Sequence, residues 1–233
     1  MALDFPKVEA ARALVARLGP AVSFYKIGLE LIARRGGLDL ARELGQGGRQ
    51  VFLDMKLLDI ENTVERATRG AADAGATFLT VHAHDSKTLR AAMAGKGGTG
   101  LRILAVTLLT NLDAGDLREQ GIAETPVELV ARRATLAREA GCDGVVASGL
   151  EAAQVRAIVG PGVAIVTPGI RLEGGTRGDQ ARVATPQTAI AAGADYLVVG
   201  RPITEAPDPA QAAESFVQAI EEALAVRALG RPG

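Results

Sequence analysis

Val51-Phe52-Leu53-Asp54-Met55-Lys56-Leu57-Leu58-Asp59-Ile60-Glu61-Asn62-Thr63 runs from a strand pattern into a helix pattern and sets two acids and a lysine within six positions. Side chains alternate faces along a strand, so Asp54 and Lys56 point one way while Leu53 and Met55 point the other. Asp59 falls just past the strand, where the next helix should begin. Charges on the same face as Phe52 are costly to bury unless they pair. Position alone therefore allows two readings. One is a Lys56/Asp54 ion pair at a strand end with Asp59 as a helix N-cap; the other is three charges gathered for one site.

The same strand-to-helix alternation extends in both directions. Upstream, a very short apolar start ends at Asp4, and residues 6–18 carry Val8, Ala11, Val15 and Leu18 at helical spacing before Gly19. A strand is expected at 22–27, helical pieces at 29–34 and 38–44, and a turn at 45–48. Downstream of the central strand, a helix is expected over 60–74, closed by Gly75. Strands follow at 77–82, 101–108, 144–147, 163–166 and 196–200, separated by helices at 87–94, 125–140, 151–159 and 185–192. Thr125, Pro126 and Glu128 read as N-cap, N1 and N3 of a capping box. A last helix spans 208–226, and the chain is expected to fray from Arg227, leaving 229–233 as a flexible tail beyond a single domain of residues 1–228.

Eight short apolar strands alternating with helices over this length predict a parallel, closed (β/α)8 TIM barrel. A doubly wound open sheet is the alternative, but its G-x-G-x-x-G fingerprint after the first strand is absent.

Composition narrows the function. A chain of 233 residues with 48% hydrophobic content can bury one large core. Its apolar runs are strand-length, so no membrane span is expected. The start, Met1-Ala2-Leu3-Asp4, lacks a basic n-region and an apolar h-region, which favours a cytoplasmic location. Net charge is −1 with dispersed basic residues, and there is no Trp and only 3% aromatics, so no nucleic-acid partner is expected. The single Cys142 excludes an internal disulfide or a Cys-based metal cluster. Only Lys7, Lys26, Lys56, Lys87 and Lys96 are lysines among 26 basic residues. Lys26 and Lys56 both fall at strand ends, and lysine, unlike arginine, can deprotonate in a protein.

In barrels of this kind the active site lies at the C-terminal ends of the strands. This chain places there Asp4, Lys26, Asp54 with Lys56, His82 with His84, Thr107 with Thr110, Arg171 and Arg201. Gly200-Arg201 combines close backbone approach with bidentate anion binding. The glycine-rich stretch 168–180, with Arg171, Arg177 and Gln180, could fold over a phosphate. His82 and His84 could share a face, but no third ligand stands nearby, so a solvated strand end is the better reading than a metal site.

These pieces resemble the bacterial type of the orotidine 5′-phosphate decarboxylase family over essentially the whole chain. The resemblance rests on Ala2-Leu3-Asp4, Tyr25-Lys26-Ile27-Gly28, Asp54-x-Lys56-x-x-Asp59-Ile60 with Asn62-Thr63, Ala105-Val106-Thr107-x-Leu109-Thr110, Val166-Thr167-Pro168-Gly169-Ile170-Arg171, Gly178-Asp179-Gln180-x-Arg182 and Gly200-Arg201-Pro202-Ile203-Thr204, in that order. It implies decarboxylation of orotidine 5′-phosphate to UMP and carbon dioxide in de novo pyrimidine synthesis, without cofactor or metal, with Lys56 protonating a C6 carbanion. By the same resemblance Lys26, Asp54, Lys56 and Asp59 form an alternating charge network, and Asp59, Ile60 and Thr63 reach the active site of a second subunit in a homodimer. Asp4 and Lys26 would hold the ribose, Thr110 the pyrimidine edge, and Arg171, Gln180, Gly200 and Arg201 the phosphate. Glu61, the segment Val81-His82-Ala83-His84-Asp85, and Asn111 depart from the common pattern. A related reading is a magnesium-dependent sugar-phosphate decarboxylase or aldolase, which carries a similar Asp-x-Lys-x-x-Asp; the run Ile60-x-Asn62-Thr63 and the 168–171 segment favour the nucleotide enzyme.

Overall fold

The computed structural model describes residues 1–174 and 183–229. Seven strands, β1 (Phe24–Gly28), β2 (Gln50–Leu57), β3 (Phe78–His82), β4 (Arg102–Val106), β5 (Gly144–Val146), β6 (Ala164–Thr167) and β7 (Tyr196–Leu197), form one sheet in sequential order. Every adjacent pair is parallel. Parallel neighbours need a crossover, and most of these are helical, so the sheet has helices along one face.

The period-2 alternation explains why both faces are apolar. Leu53, Leu79, Ile103, Val145 and Ile165 turn toward the helices and join the main core. Their neighbours Phe52, Phe78, Leu104 and Val166, with Phe24, Val146, Tyr196 and Val198 packed on them, form a second, smaller cluster on the other face. Every strand contributes to that cluster, and the sheet curls around it. Phe24 on β1 and Tyr196 on β7 stand at opposite ends of the strand order, yet their ring centroids are 6.0 Å apart, edge to face. Arg102 lies over the Phe78 and Tyr196 rings at 5.1 and 5.9 Å.

The expected first strand is smaller than the sequence suggests. Residues 1–3 are too short for a ladder, and only Ala2 forms an isolated parallel bridge, to Lys26. The segment still bonds in two directions: Ala2 N–H donates to Val199 O (2.7 Å), and Leu3 N–H to Lys26 O (2.9 Å). The 22–27 strand starts later, at Phe24, where pairing with Gln50 of β2 begins; Val22 is extended but only closes the 3-10 turn Gly19–Ala21. Two short helices also lie outside the sequence reading. Ala114–Glu119 is nucleated by a capping box between Asp113 and Asp116, and Arg201–Thr204 begins with Pro202 near its start, straight after β7.

Helix termini otherwise follow local chemistry. The expected box at Thr125 and Glu128 opens Pro126–Glu139. The helix Glu61–Asp73 is followed by Gly75 at φ 77°, a conformation that favours glycine. Asp59 is not its N-cap. Ile60 holds that position, and Asp59 Oδ1 accepts from the Ile60 N–H at 2.7 Å, one residue too early to reach the first-turn donors. The last helix, Pro209–Leu229, runs through Arg227, which donates to Ala194 O at 2.9 Å; fraying does not begin there because that bond ties the helix end to the body. Among the described residues no helix is long and apolar enough to cross a membrane.

Candidate active site

A cavity of about 260 Å³ opens at the C-terminal ends of the strands. Its wall is apolar where strand side chains point inward, at Phe52, Val106, Val146 and Val198. Its charged lining is Asp4, Lys26, Asp54, Lys56, Arg171 and Arg201. Four cations against two anions leave the cavity suited to an anionic guest with a flat apolar portion.

One chain of ion pairs organises the charges. Lys26 Nζ lies 3.3 Å from Asp4 Oδ1 and 3.2 Å from Asp54 Oδ2, and Lys56 Nζ lies 2.8 Å from Asp54 Oδ1. Thr80 Oγ1 donates a further bond to Asp54 Oδ1 at 2.9 Å. Burial pushes the Asp54 carboxyl up, but Lys26, Lys56 and Thr80 outweigh it and hold Asp54 below its usual range. Burial likewise pushes Lys26 down, and Asp54 with Asp4 outweighs it, leaving the Lys26 ammonium above its usual value. Both groups therefore stay charged in a site where isolated charges would neutralise.

The local backbone is unusual at this point. β2 and β3 pair in register at Leu53↔Leu79 and resume at Leu57↔Val81, with an irregularity between. Lys56 sits there at φ 50°, the only non-glycine residue with positive φ among those described. Alternation still puts Asp54 and Lys56 in the same cavity, but the strand carrying them is not regular. At the end of β1, a Cβ on Gly28 would stand 3.0 Å from Lys26 Nζ and 3.1 Å from Asp4 Oδ1, so the absent side chain leaves room for that ion pair.

The cavity brings together Asp4, Lys26, Asp54, Lys56, Thr110, Arg171, Gly200 and Arg201. Asp59, Ile60 and Thr63 are not in its lining and are exposed at the start of the following helix, Ile60 at 71%. Gln180, with Arg177 and Asp179, lies outside the described residues. Thr107 is structural: fully buried, it donates to Val146 O at 2.8 Å and ties the end of β4 to β5. His82 and His84 stack with centroids 5.2 Å apart and planes 9° from parallel, and neither lines the cavity. Among the described residues no group of three or more His, Cys, Asp or Glu side chains could hold a metal ion. Cys142 is buried, and burial pushes its thiol up to about 12, which leaves it an unreactive core group.

Two sets of residues escaped the sequence reading. The inward wall of Phe52, Val106, Val146 and Val198 was accessible in principle from strand alternation, once strand registers were known. Thr80 carried no such signal, since a threonine inside a strand is an ordinary β-former.

The orotidine 5′-phosphate decarboxylase / HUMPS family matches residues 1–216 of the chain. The chain is 54% identical over 220 residues to orotidine 5′-phosphate decarboxylase of Rhodopseudomonas palustris (strain BisA53), covering 94% of this chain and 93% of that protein. It is 55% identical over 223 residues to the protein of that name from Methylorubrum extorquens (strain PA1), covering 96% and 95% respectively. The crystal structure of orotidine 5′-phosphate decarboxylase from Lactobacillus acidophilus superimposes with a TM-score of 0.84 at 36% identity, covering 94% of this chain and 96% of that one. With the match running through the strands that carry Lys26, Asp54 and Lys56, the chain belongs to the orotidine 5′-phosphate decarboxylase / HUMPS family.

Proposed function

We propose that the chain decarboxylates orotidine 5′-phosphate to UMP and carbon dioxide, the last step of de novo pyrimidine synthesis, without a cofactor. The observation that carries this reading is the Asp4–Lys26–Asp54–Lys56 chain of ion pairs, set in an apolar-walled cavity with Arg171 and Arg201 also in its lining.

Breaking the bond between ring C6 and its carboxylate leaves a carbanion that the pyrimidine barely delocalises. A lysine Schiff base does not help, because the bond is not β to a ketone. The site must place positive charge and a proton at C6. In this reading Lys56 does both: its ammonium stabilises the developing carbanion and then donates the proton that replaces carbon dioxide. Asp54 orients Lys56 and, with Lys26, fixes its charge environment before the substrate arrives. Asp54 could also repel the substrate carboxylate. At 4 Å and an effective dielectric of 20 that contributes roughly 4 kcal/mol, about three powers of ten in rate. An unstabilised carbanion demands several times as much, so transition-state electrostatics and remote phosphate binding carry most of the effect.

The remaining assignments follow the resemblance and the cavity lining. Asp4 and Lys26 hold the ribose, Thr110 the pyrimidine edge, and Arg171, Gly200 and Arg201 the phosphate, with Gln180 assigned to the same end from sequence alone. Asp59, Ile60 and Thr63 are assigned to the partner's site in a homodimer, which is consistent with their exposure here. We also infer that the curled sheet closes as a (β/α)8 barrel, with residues 1–3 as the eighth stave; the bonds of Leu3 N–H to Lys26 O on one side and of Ala2 N–H to Val199 O on the other support this. The reading takes residues 1–228 as one domain, 229–233 as a tail, and the cytoplasm as the location.

The test follows the loss of orotidine 5′-phosphate absorbance with a metal chelator present. Turnover equal to that without chelator is expected. No turnover of this substrate, alongside magnesium-dependent turnover of a hexulose or pentulose phosphate, would overturn the reading.

A further inference from the structure

The irregularity between β2 and β3 places three residues, Asp54, Met55 and Lys56, opposite a single residue, Thr80. Successive residues of a parallel strand face alternate neighbours, and Gln50 N–H donates to Ser23 O on the β1 side, so regular alternation would turn the Lys56 N–H toward β1 rather than β3. Here that N–H donates instead to Thr80 Oγ1 of β3 at 3.0 Å. A hydroxyl has one proton and two lone pairs. Thr80 accepts from Lys56 with a lone pair and spends its proton on Asp54 Oδ1, 2.9 Å away. Asp54 Oδ1 also receives the Lys56 ammonium at 2.8 Å. The bonds form a closed circuit that leaves Lys56 through its backbone and returns through its own Nζ. Thr80 is fully buried, so water does not substitute for its hydroxyl.

We propose that Thr80 is a positioning residue for decarboxylation, its hydroxyl fixing the left-handed backbone of Lys56 and the Asp54 carboxylate as one unit. The inference rests on the reading that Lys56 and Asp54 act at the substrate. Lys56 at φ 50° is a conformation that a side-chain-bearing residue keeps only when its surroundings enforce it. Thr80 supplies that enforcement through its bond to the Lys56 N–H, which the irregularity turns toward β3. It also sets which Asp54 oxygen faces Lys56, because Oδ1 takes both Thr80 and Lys56 while Oδ2 faces Lys26.

Thr80→Val keeps the shape and removes both bonds; Thr80→Ser keeps both bonds. Expected for Thr80→Val is a fall in kcat on the order of 10²-fold, as for an ångström-scale misplacement of a reacting group, with KM little changed because phosphate contacts are untouched. The acid limb of its kcat/KM profile should move to higher pH, since Asp54 loses a donor that favours its charged form. Thr80→Ser should restore both kcat and the acid limb. A folded Thr80→Val that keeps the parent's kcat and acid limb overturns the inference, as does a Thr80→Ser variant as impaired as Thr80→Val. If Thr80→Val does not fold, Thr80→Cys against Thr80→Ser decides. The thiol is the weaker donor and acceptor and should be slower with a raised acid limb, and equality of the two overturns the inference. A parent inactive on orotidine 5′-phosphate overturns the functional reading and this inference together, whereas an active parent with an equally active variant overturns this inference alone.

Discussion

At Lys56 two demands meet in one residue: an ammonium held 2.8 Å from Asp54, and a backbone at φ 50°. Left-handed backbone of this kind costs about 1–3 kcal/mol at a non-glycine position and persists where the surroundings over-determine it. Lys56→Ala should leave the fold intact, since the side chain ends in the cavity and not in the core, and should abolish decarboxylation in a steady-state assay. Appreciable residual turnover would remove Lys56 from its assigned role. Gly28 gives a subtler test. Its φ of −94° suits any residue, but an added Cβ would press on Lys26 Nζ at 3.0 Å. The ammonium is the end of a flexible chain and can yield by a few tenths of an ångström. Gly28→Ala is therefore expected to fold normally and lose about tenfold in kcat, short of the ~10²-fold that a 1 Å misplacement can cost. An unchanged kcat would show that the Lys26–Asp4 pair tolerates displacement.

Among the elements, β3 carries a pH dependence at its end. His82 is pushed down to about 4, first by burial and then by His84, Arg133 and Lys56, and its Nδ1 is buried without a hydrogen-bond partner. The imidazole is neutral in the fold but ordinary, near 6.5, in the unfolded chain. Between these values the unfolded chain binds the extra proton, so stability is lost as pH falls from 6.5 toward about 4. Denaturant midpoints across that window should fall more gently in His82→Gln than in the parent. Some slope should remain, because His84 is pushed down the same way, by burial and by Arg133. Identical slopes would mean that His82 is not the group responsible. Asp54 does not confuse the test: its folded value lies below the ordinary carboxylate range, so its contribution is lost only at more acid pH.

On the scale of the whole molecule, a single chain's cavity lacks Asp59, Ile60 and Thr63 from its lining. Ile60 is 71% and Leu58 48% exposed beside Asp59, an apolar rim around an acid that a second copy could cover. If each site of a two-fold dimer draws Lys56 from one subunit and Asp59 from the other, Lys56→Ala and Asp59→Ala subunits are each inactive as homodimers. A mixed dimer then has one site with both defects and one with neither. Random re-association should recover activity at about a quarter of the sites, measured after mixing and refolding equal amounts. No recovery, with mixed dimers demonstrated by mass, would count against a shared site.

Local chemistry by itself determined much of this protein. The 3.6- and 2-residue periodicities marked the alternating elements, the Thr125–Glu128 box marked a helix start, and alternation along β2 put Asp54 and Lys56 on one side. Such features depend on neighbours a few residues apart. Tertiary structure alone decided what depends on strands meeting. The approach of Phe24 to Tyr196, the reduction of residues 1–3 to one bridge to Lys26 and one bond to Val199, and the choice of Thr80 as the residue facing the bulge all arise from pairings between distant segments. Register is a property of two strands together, so no reading of β2 alone could reveal that Lys56 turns left-handed against a threonine 24 positions away.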